Sequence, residues 1–309
     1  MSGRILVLGA AGRVGRVAAQ AFHGAGWDVV SFVRPGAGAR AAPGTETVES
    51  AERAVLMTSA RRADVILHAF NVPYPQWRRA ALNLTYVAIE AAEAAGATLL
   101  VPGNIYNYGA GMPEVLDENT PMRPTSHKGR IRETMELRVR EAADRGMHAI
   151  VLRAGDGFGA GRGSWFDLVV AKDARRGRVT YPGPLDIVHE WAYLPDFAAA
   201  LVRLAECRGA LGVFETFGFP GHSVTGREMA AAIAEAVQRK VEVTRMGWWM
   251  VRTAGRLFAM GRELAEIEYL WRVPHRISAE KLKSVIGELP HTPLDRAVAA
   301  ALRALAPRA

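Results

Sequence analysis

The chain has 309 residues, half of them apolar and 23% charged, a balance that excludes a disordered chain and suffices for one large core with a smaller domain appended. Its net charge of +8 is spread along the sequence, as in Arg61-Arg62 and Arg175-Arg176. Scattered charge argues for a small anionic ligand and against a dedicated nucleic-acid face. Cys207 is the single cysteine, which excludes an internal disulfide and a Cys-based zinc cluster, and no metal site is expected.

In chain order, short apolar runs alternate with helical patterns: a strand at 4–8, helix 14–25, strand 28–33, strand 64–69, helix 77–95, strand 98–101, helix 131–144 and strand 148–152. The strands are apolar throughout, as when both faces of a parallel sheet are covered, and the fold class is α/β, a doubly wound parallel sheet. Beyond about residue 155 the pattern loosens into a glycine-rich loop, Gly155 to Gly163. It resumes with a helix at 226–238, a strand at 241–244, a long amphipathic stretch at 248–271 and a helix at 294–305. The expected division is a nucleotide-binding domain at 1–160 and a smaller α/β substrate domain at 161–309, some of whose segments return to the first core. A cleft between them is the expected substrate site. The apolar run Ile5-Leu6-Val7-Leu8 is too short for a signal peptide, and Arg252 and Arg256 interrupt the most apolar late segment, so a cytoplasmic protein without membrane association is expected. The stripe Trp248, Trp249, Phe258, Met260, Tyr269 and Trp271 reads as core or as the contact of a homodimer.

The first strand leads into Gly9-Ala10-Ala11-Gly12-Arg13-Val14-Gly15, which opens a helix. Gly9 permits the tight turn, Gly12 lets a pyrophosphate approach the backbone, and Gly15 lets the helix pack against the sheet. Free N–H groups and the helix dipole favour the anion. The strand–turn–helix context makes this a Rossmann-type dinucleotide site, with Ala11, Arg13 and Val14 beside the glycines as cofactor contacts. The next strand ends in Arg34, where an acid would select NAD by holding the ribose hydroxyls. An arginine offers a planar cation to a 2'-phosphate, so NADP(H) is expected ahead of NAD, and Arg13 is a candidate second phosphate contact.

The glycine pattern, the strand Asp64-Val65-Ile66-Leu67-His68-Ala69 and the segment Ile105-Tyr106-Asn107-Tyr108-Gly109 together resemble the extended short-chain dehydrogenase/reductase superfamily of NAD-dependent epimerases and dehydratases, over roughly residues 3 to 205. The resemblance implies that Glu49 approaches the adenine amino group and that His68 to Asn71, with Ala69 and Asn71 as contacts, pass beneath the cofactor. It also implies a Ser or Thr after the fifth strand and a Tyr-x-x-x-Lys helix. Register from Tyr108-Gly109 places Asn104 at the Ser/Thr position. The loop residues Glu118 to Pro121 and Pro124 to Ser126 place the helix motif on Lys128 to Arg132, with lysine for tyrosine and arginine for lysine. The chain thus resembles an atypical member without the dyad.

Two readings follow. In one, Lys128 donates a proton to a carbonyl held by Asn104, with Tyr106 in reserve beside Tyr74 and Tyr108. In the other, the site is not catalytic, and Lys128 and Arg132 grip the nicotinamide ribose or an anion. The expected function is an NADP(H)-dependent oxidoreductase or epimerase-like enzyme acting on a small carbonyl, hydroxyl or sugar-type substrate. The alternative is an NADP(H)-binding sensor. The proline-stiffened aromatic loop from Asn71 to Trp77 is a candidate substrate contact.

Overall fold

The computed structural model describes residues 3–305. In chain order it runs β1 (Arg4–Leu8), α1 (Arg13–Gly24), β2 (Asp28–Val33), β3 (Glu46–Glu49), α2 (Arg53–Ala60), β4 (Val65–His68), α3 (Trp77–Ala95), β5 (Thr98–Asn104), β6 (Val115–Leu116), α4 (His127–Ala143) and β7 (Ala149–Ala154). The second half contains β8 (Asp156–Phe158), β9 (Arg178–Tyr181), β10 (Val188–Tyr193), α5 (Leu194–Cys207), β11 (Phe214–Gly218), β12 (His222–Thr225), α6 (Gly226–Ala236), β13 (Glu242–Arg245), α7 (Trp248–Leu257), α8 (Ala259–Ala265), β14 (Arg276–Ile277), α9 (Glu280–Ile286) and α10 (Leu294–Ala304).

Seven parallel strands form the main sheet in the order β11-β7-β5-β4-β1-β2-β3. Side chains alternate between its two faces. Ile5, Val7, Leu67 and Leu100 pack with Phe22 and Leu201 on one side, and Leu6, Leu8, Ile66 and Leu99 pack with Ala88 and Val139 on the other. Strand order reverses between β1 and β4, so the crevice at their carboxyl ends is where such a sheet binds ligands. The smaller layer is built from β12-β10-β8 and two strand pairs around a core rich in aromatics, Phe158, Phe166, Tyr181, Trp191 and Trp271.

Three features differ from the sequence reading. The edge elements β3 and α2 carry little apolar signal, and only Leu56 and Ala60 are buried in α2. The stretch 248–271 is a helical hairpin broken at Phe258, because Gly255 and Gly261 let two backbones touch; a Cβ on Gly261 would lie 2.7 Å from the Gly255 nitrogen. Helix α4 begins at His127, before the predicted 131, since Ser126 Oγ accepts the Gly129 N–H at 3.0 Å and caps it. Among the described residues, no helix is long and apolar enough to cross a membrane, and no group of His, Cys, Asp and Glu could hold a metal ion.

Two buried histidines make the fold sensitive to acid. Thr85 Oγ1 donates to the Ala81 carbonyl, so His68 Nε2 donates to Thr85, and its buried Nδ1 has no partner among the described residues. Burial, reinforced by Arg132, pushes the His68 imidazole down to about 3. Burial, reinforced by His189, does the same to His275. Both remain neutral in the fold but gain a proton in the unfolded chain below pH 6.5, so stability present above 6.5 is lost as pH falls toward 3. Each imidazole should cost roughly 2 kcal/mol at pH 5. Urea denaturation at pH 7 and pH 5 checks this, and a midpoint that does not fall would contradict it.

Candidate active site

The glycine turn is shaped by contacts within the chain. Gly9 has φ +81°, and a Cβ there would lie 2.7 Å from the Ala69 carbonyl oxygen, so β1 turns directly over the end of β4. A Cβ on Gly15 would collide with the Gly9 carbonyl. Gly12 is different: it caps α1 in ordinary extended geometry and lacks a side chain to satisfy the helix. The N–H groups of Arg13, Val14 and Gly15 have no acceptor among the described residues, and the first turn of α1 holds no acid. This cradle fits a dinucleotide pyrophosphate, which the free N–H groups and the positive end of the helix would hold. Ala11 packs on the core below the turn.

The cradle opens into a cavity of about 500 Å³, lined from the turn by Arg13 and Val14, from the loop after β4 by Asn71, Tyr74 and Trp77, and from the end of β5 by Asn104 and Tyr106. Arg132, Asp156 and Trp165 complete the wall, and Met260 and Leu264 of the helical hairpin cover it. Asn104 Oδ1 accepts the Tyr106 N–H at 3.1 Å. That bond folds the turn after β5 and leaves the Asn104 amide N–H₂ for a ligand. The Tyr74 and Tyr106 hydroxyls bond each other at 2.9 Å. Burial raises both phenols, Tyr74 to about 12 and Tyr106 well above its usual value, so both remain protonated at neutral pH.

Two cations reach this cavity without a carboxylate partner among the described residues. Arg13 Nη1 donates to the Gly157 carbonyl at 3.1 Å, and Arg132 Nη1 donates to Pro102 at 3.3 Å while its guanidinium covers the Trp77 ring. Burial pulls both guanidinium groups below their usual range. Half-buried cations placed this way are suited to an anion or a polar ligand. Arg13 turns into the cavity, toward the Gly157 carbonyl of β8.

Lys128 corrects the sequence reading. Its side chain is fully buried and does not line the cavity. Nζ donates to the Glu263 carbonyl at 2.9 Å, to the Glu263 carboxylate and to Glu266 Oε1 at 2.6 Å. An ammonium has three N–H donors, and all are taken, so none remains for a carbonyl substrate or a ribose. The cause is helical spacing: Lys128 lies one turn before Arg132 on α4, and the hairpin's acids meet it there. Glu266 also accepts the backbone N–H groups of His127 and Lys128, at 3.3 and 3.1 Å, closing the start of α4.

At the other end of the cradle, Arg34 is exposed just past β2. Glu49 Oε2 accepts the Gly36 N–H at 2.8 Å, which ties β3 to the loop carrying Arg34. Sequence reading missed Asp156, which it left inside a glycine-rich loop, and Trp165.

The NAD dependent epimerase/dehydratase family matches residues 5–215, more than half of the chain. The chain belongs to that family. A 3-diazoavenalumate denitrifying reductase from a Streptomyces species is 25% identical over 294 residues, covering 88% of this chain and 96% of the relative. Among solved structures, UDP-glucose 4-epimerase from Brucella ovis in complex with NAD is similar with a TM-score of 0.76 at 17% identity, over 98% of this chain and 97% of that one. MoeE5 in complex with UDP-glucose and NAD is similar with a TM-score of 0.74 at 18% identity, over 98% of each chain. At these identities the structural likeness shows the fold.

The Lys128 clasp predicts a specific defect. Lys128→Met leaves Glu263 and Glu266 facing each other without their cation, so α8 should lift from α4. Removing one partner of a buried ion pair costs about 3–5 kcal/mol. Hydrogen exchange should quicken across residues 258–266, and a variant exchanging like the wild type there would contradict the clasp.

Proposed function

We propose that the chain is an NADP(H)-dependent reductase of a small carbonyl compound. The observation that carries this reading is the juxtaposition in one cavity of a phosphate cradle, two acid-free guanidinium groups and a pair of protonated phenols. Arg13 reinforces the cradle, and Arg132 at the end of β5 holds the ribose next to the nicotinamide. Arg34, which has no salt-bridge partner among the described residues while Glu49 accepts the Gly36 N–H, favours a 2'-phosphate and therefore NADP(H) over NAD. The reductase named among the relatives supports the direction.

When bound, the reduced cofactor supplies a hydride. The chain's own groups handle the oxygen of the substrate carbonyl. Within the Tyr74–Tyr106 pair one hydroxyl donates to the other, which leaves one O–H free to donate to the oxygen as negative charge develops there. The Asn104 amide is a second donor. Burial raises both phenols, so each carries its proton at neutral pH and is available to hydrogen-bond that oxygen. Lys128 holds the cover of the cavity and takes no part in proton transfer.

Loss of reduced-cofactor absorbance, followed against a panel of aldehydes, ketones and sugar nucleotides, tests the reading. Tyr106→Phe should lower turnover roughly 100- to 1,000-fold while leaving cofactor affinity within a few fold. Arg34→Ala should weaken NADP(H) binding roughly 10- to 150-fold and leave NAD(H) nearly unchanged. Tight NADP(H) binding without turnover on any of these substrates would replace the enzyme with a cofactor sensor. A wild type preferring NAD(H) would overturn the assignment of Arg34.

A further inference from the structure

Among the described residues, Asp156 is the one acid on the cavity wall, and it is held from behind. Its Oδ2 bonds His189 Nε2 at 3.0 Å, the carboxylate 14% exposed and the imidazole 3%. His189 Nδ1 lies 3.3 Å from the Leu270 carbonyl, so an oxygen faces each ring nitrogen. The ring stacks flat on Trp271, centroids 4.1 Å apart, and meets His275 edge-on at 4.7 Å. These contacts leave His189 no other rotamer, and the carboxylate is fixed with it. Asp156 Oδ1 receives no hydrogen bond among the described residues.

Arg132 rests on the end of β5, and Arg13 spans from the glycine turn to the Gly157 carbonyl of β8, where Asp156 is among the acids that act on it. Asp156 belongs to β8, in the smaller layer, and faces the remaining space. The apolar lining of the cavity includes the rings of Tyr74, Trp77 and Trp165 together with Leu168 and Leu264. A desolvated carboxylate there repels a diphosphate and attracts a donor. Aromatic walls select a planar ring.

We propose that Asp156, held by His189, is the substrate-selecting group of this cavity, and that the substrate is a planar aromatic compound that donates a hydrogen bond to the carboxylate, as a phenol does. This rests on the reading above, in which the rest of the cavity takes the nicotinamide end of the cofactor. Asp156 touches substrate; His189 is a positioning residue.

The test uses the full chain saturated with NADP⁺ at pH 6.5, and NADP⁺ affinity is measured first. Binding of 3-hydroxybenzaldehyde, 3-methoxybenzaldehyde and UDP-glucose is then compared by calorimetry. The two aldehydes share a ring and a carbonyl, and only one offers a donor. The wild type should prefer the hydroxyl compound roughly 10- to 150-fold, the range of a hydrogen bond to a charged group. Asp156→Asn should reduce that preference to within a few fold while leaving NADP⁺ affinity unchanged. His189→Gln, which frees the carboxylate without removing it, should retain part of the preference. Normal NADP⁺ binding with no preference in the wild type, no binding of either ring, or tighter binding of UDP-glucose overturns this inference alone. Failure of NADP⁺ itself to bind overturns the reading beneath it as well. Should Asp156→Asn not fold, the wild-type preference among the three compounds decides.

Discussion

A guanidinium inside an α/β core must find its counter-charge before the strands around it can close, and Arg153 finds Glu136. Arg153 Nη2 and Glu136 Oε2 are 2.6 Å apart, with side chains 7% and 4% exposed. Burial alone would pull the Arg153 guanidinium down; the Glu136 carboxylate and the Tyr108 hydroxyl more than reverse it. The pair recruits the turn after β5, because Arg153 Nη1 donates to the Tyr108 hydroxyl at 2.9 Å and Asn107 Nδ2 donates to Glu136 Oε1 at 3.2 Å. Gly103 makes room for this, since a Cβ there would lie 2.8 Å from Arg153 Cγ. With Asn107 and Tyr108 fixed inward, Tyr106 faces the cavity, and the phenol pair depends on an ion pair that never reaches the ligand. Such a pair adds little net stability but is costly to break, so its value lies in geometry.

The charge balance of the site follows the same logic at two depths. Lys128 is neutralised twice over and holds a cover in place. Arg13 and Arg132 have no carboxylate partner among the described residues and line the cavity. The difference is set by which element lies opposite each cation: the helical hairpin carries Glu263 and Glu266, whereas β8 and the end of β5 offer carbonyls to Arg13 and Arg132. Two helical residues four apart, Lys128 and Arg132, thus do opposite work.

The glycine turn was legible in the sequence because its demands are local: a positive φ, a close approach and a helix start lie within seven residues. The alternation of strands and helices in the first half was legible for the same reason. The role of Lys128 was not, because register along α4 shows where the side chain begins but not what a hairpin far downstream brings against it. Asp156 was hidden in a run of glycines that reads as a loop, and its significance depends on His189, which lies on another strand. The edge strand β3 was missed since Val48 is its one apolar residue, and edge strands need little more. Arg132 lines the cavity, and its neighbours there are the Trp77 ring and the Pro102 carbonyl.

The central claim is that the glycine cradle and the tyrosine-lined cavity form one dinucleotide site. Titration with NADPH, followed by energy transfer from tryptophan to the reduced nicotinamide, tests this most directly, because Trp77 and Trp165 line the cavity itself. Transfer should rise with saturation in the wild type and disappear in Gly12→Val, with the circular dichroism of the two proteins superimposing. Undiminished NADPH binding by folded Gly12→Val, or binding to the wild type without energy transfer, would contradict the account.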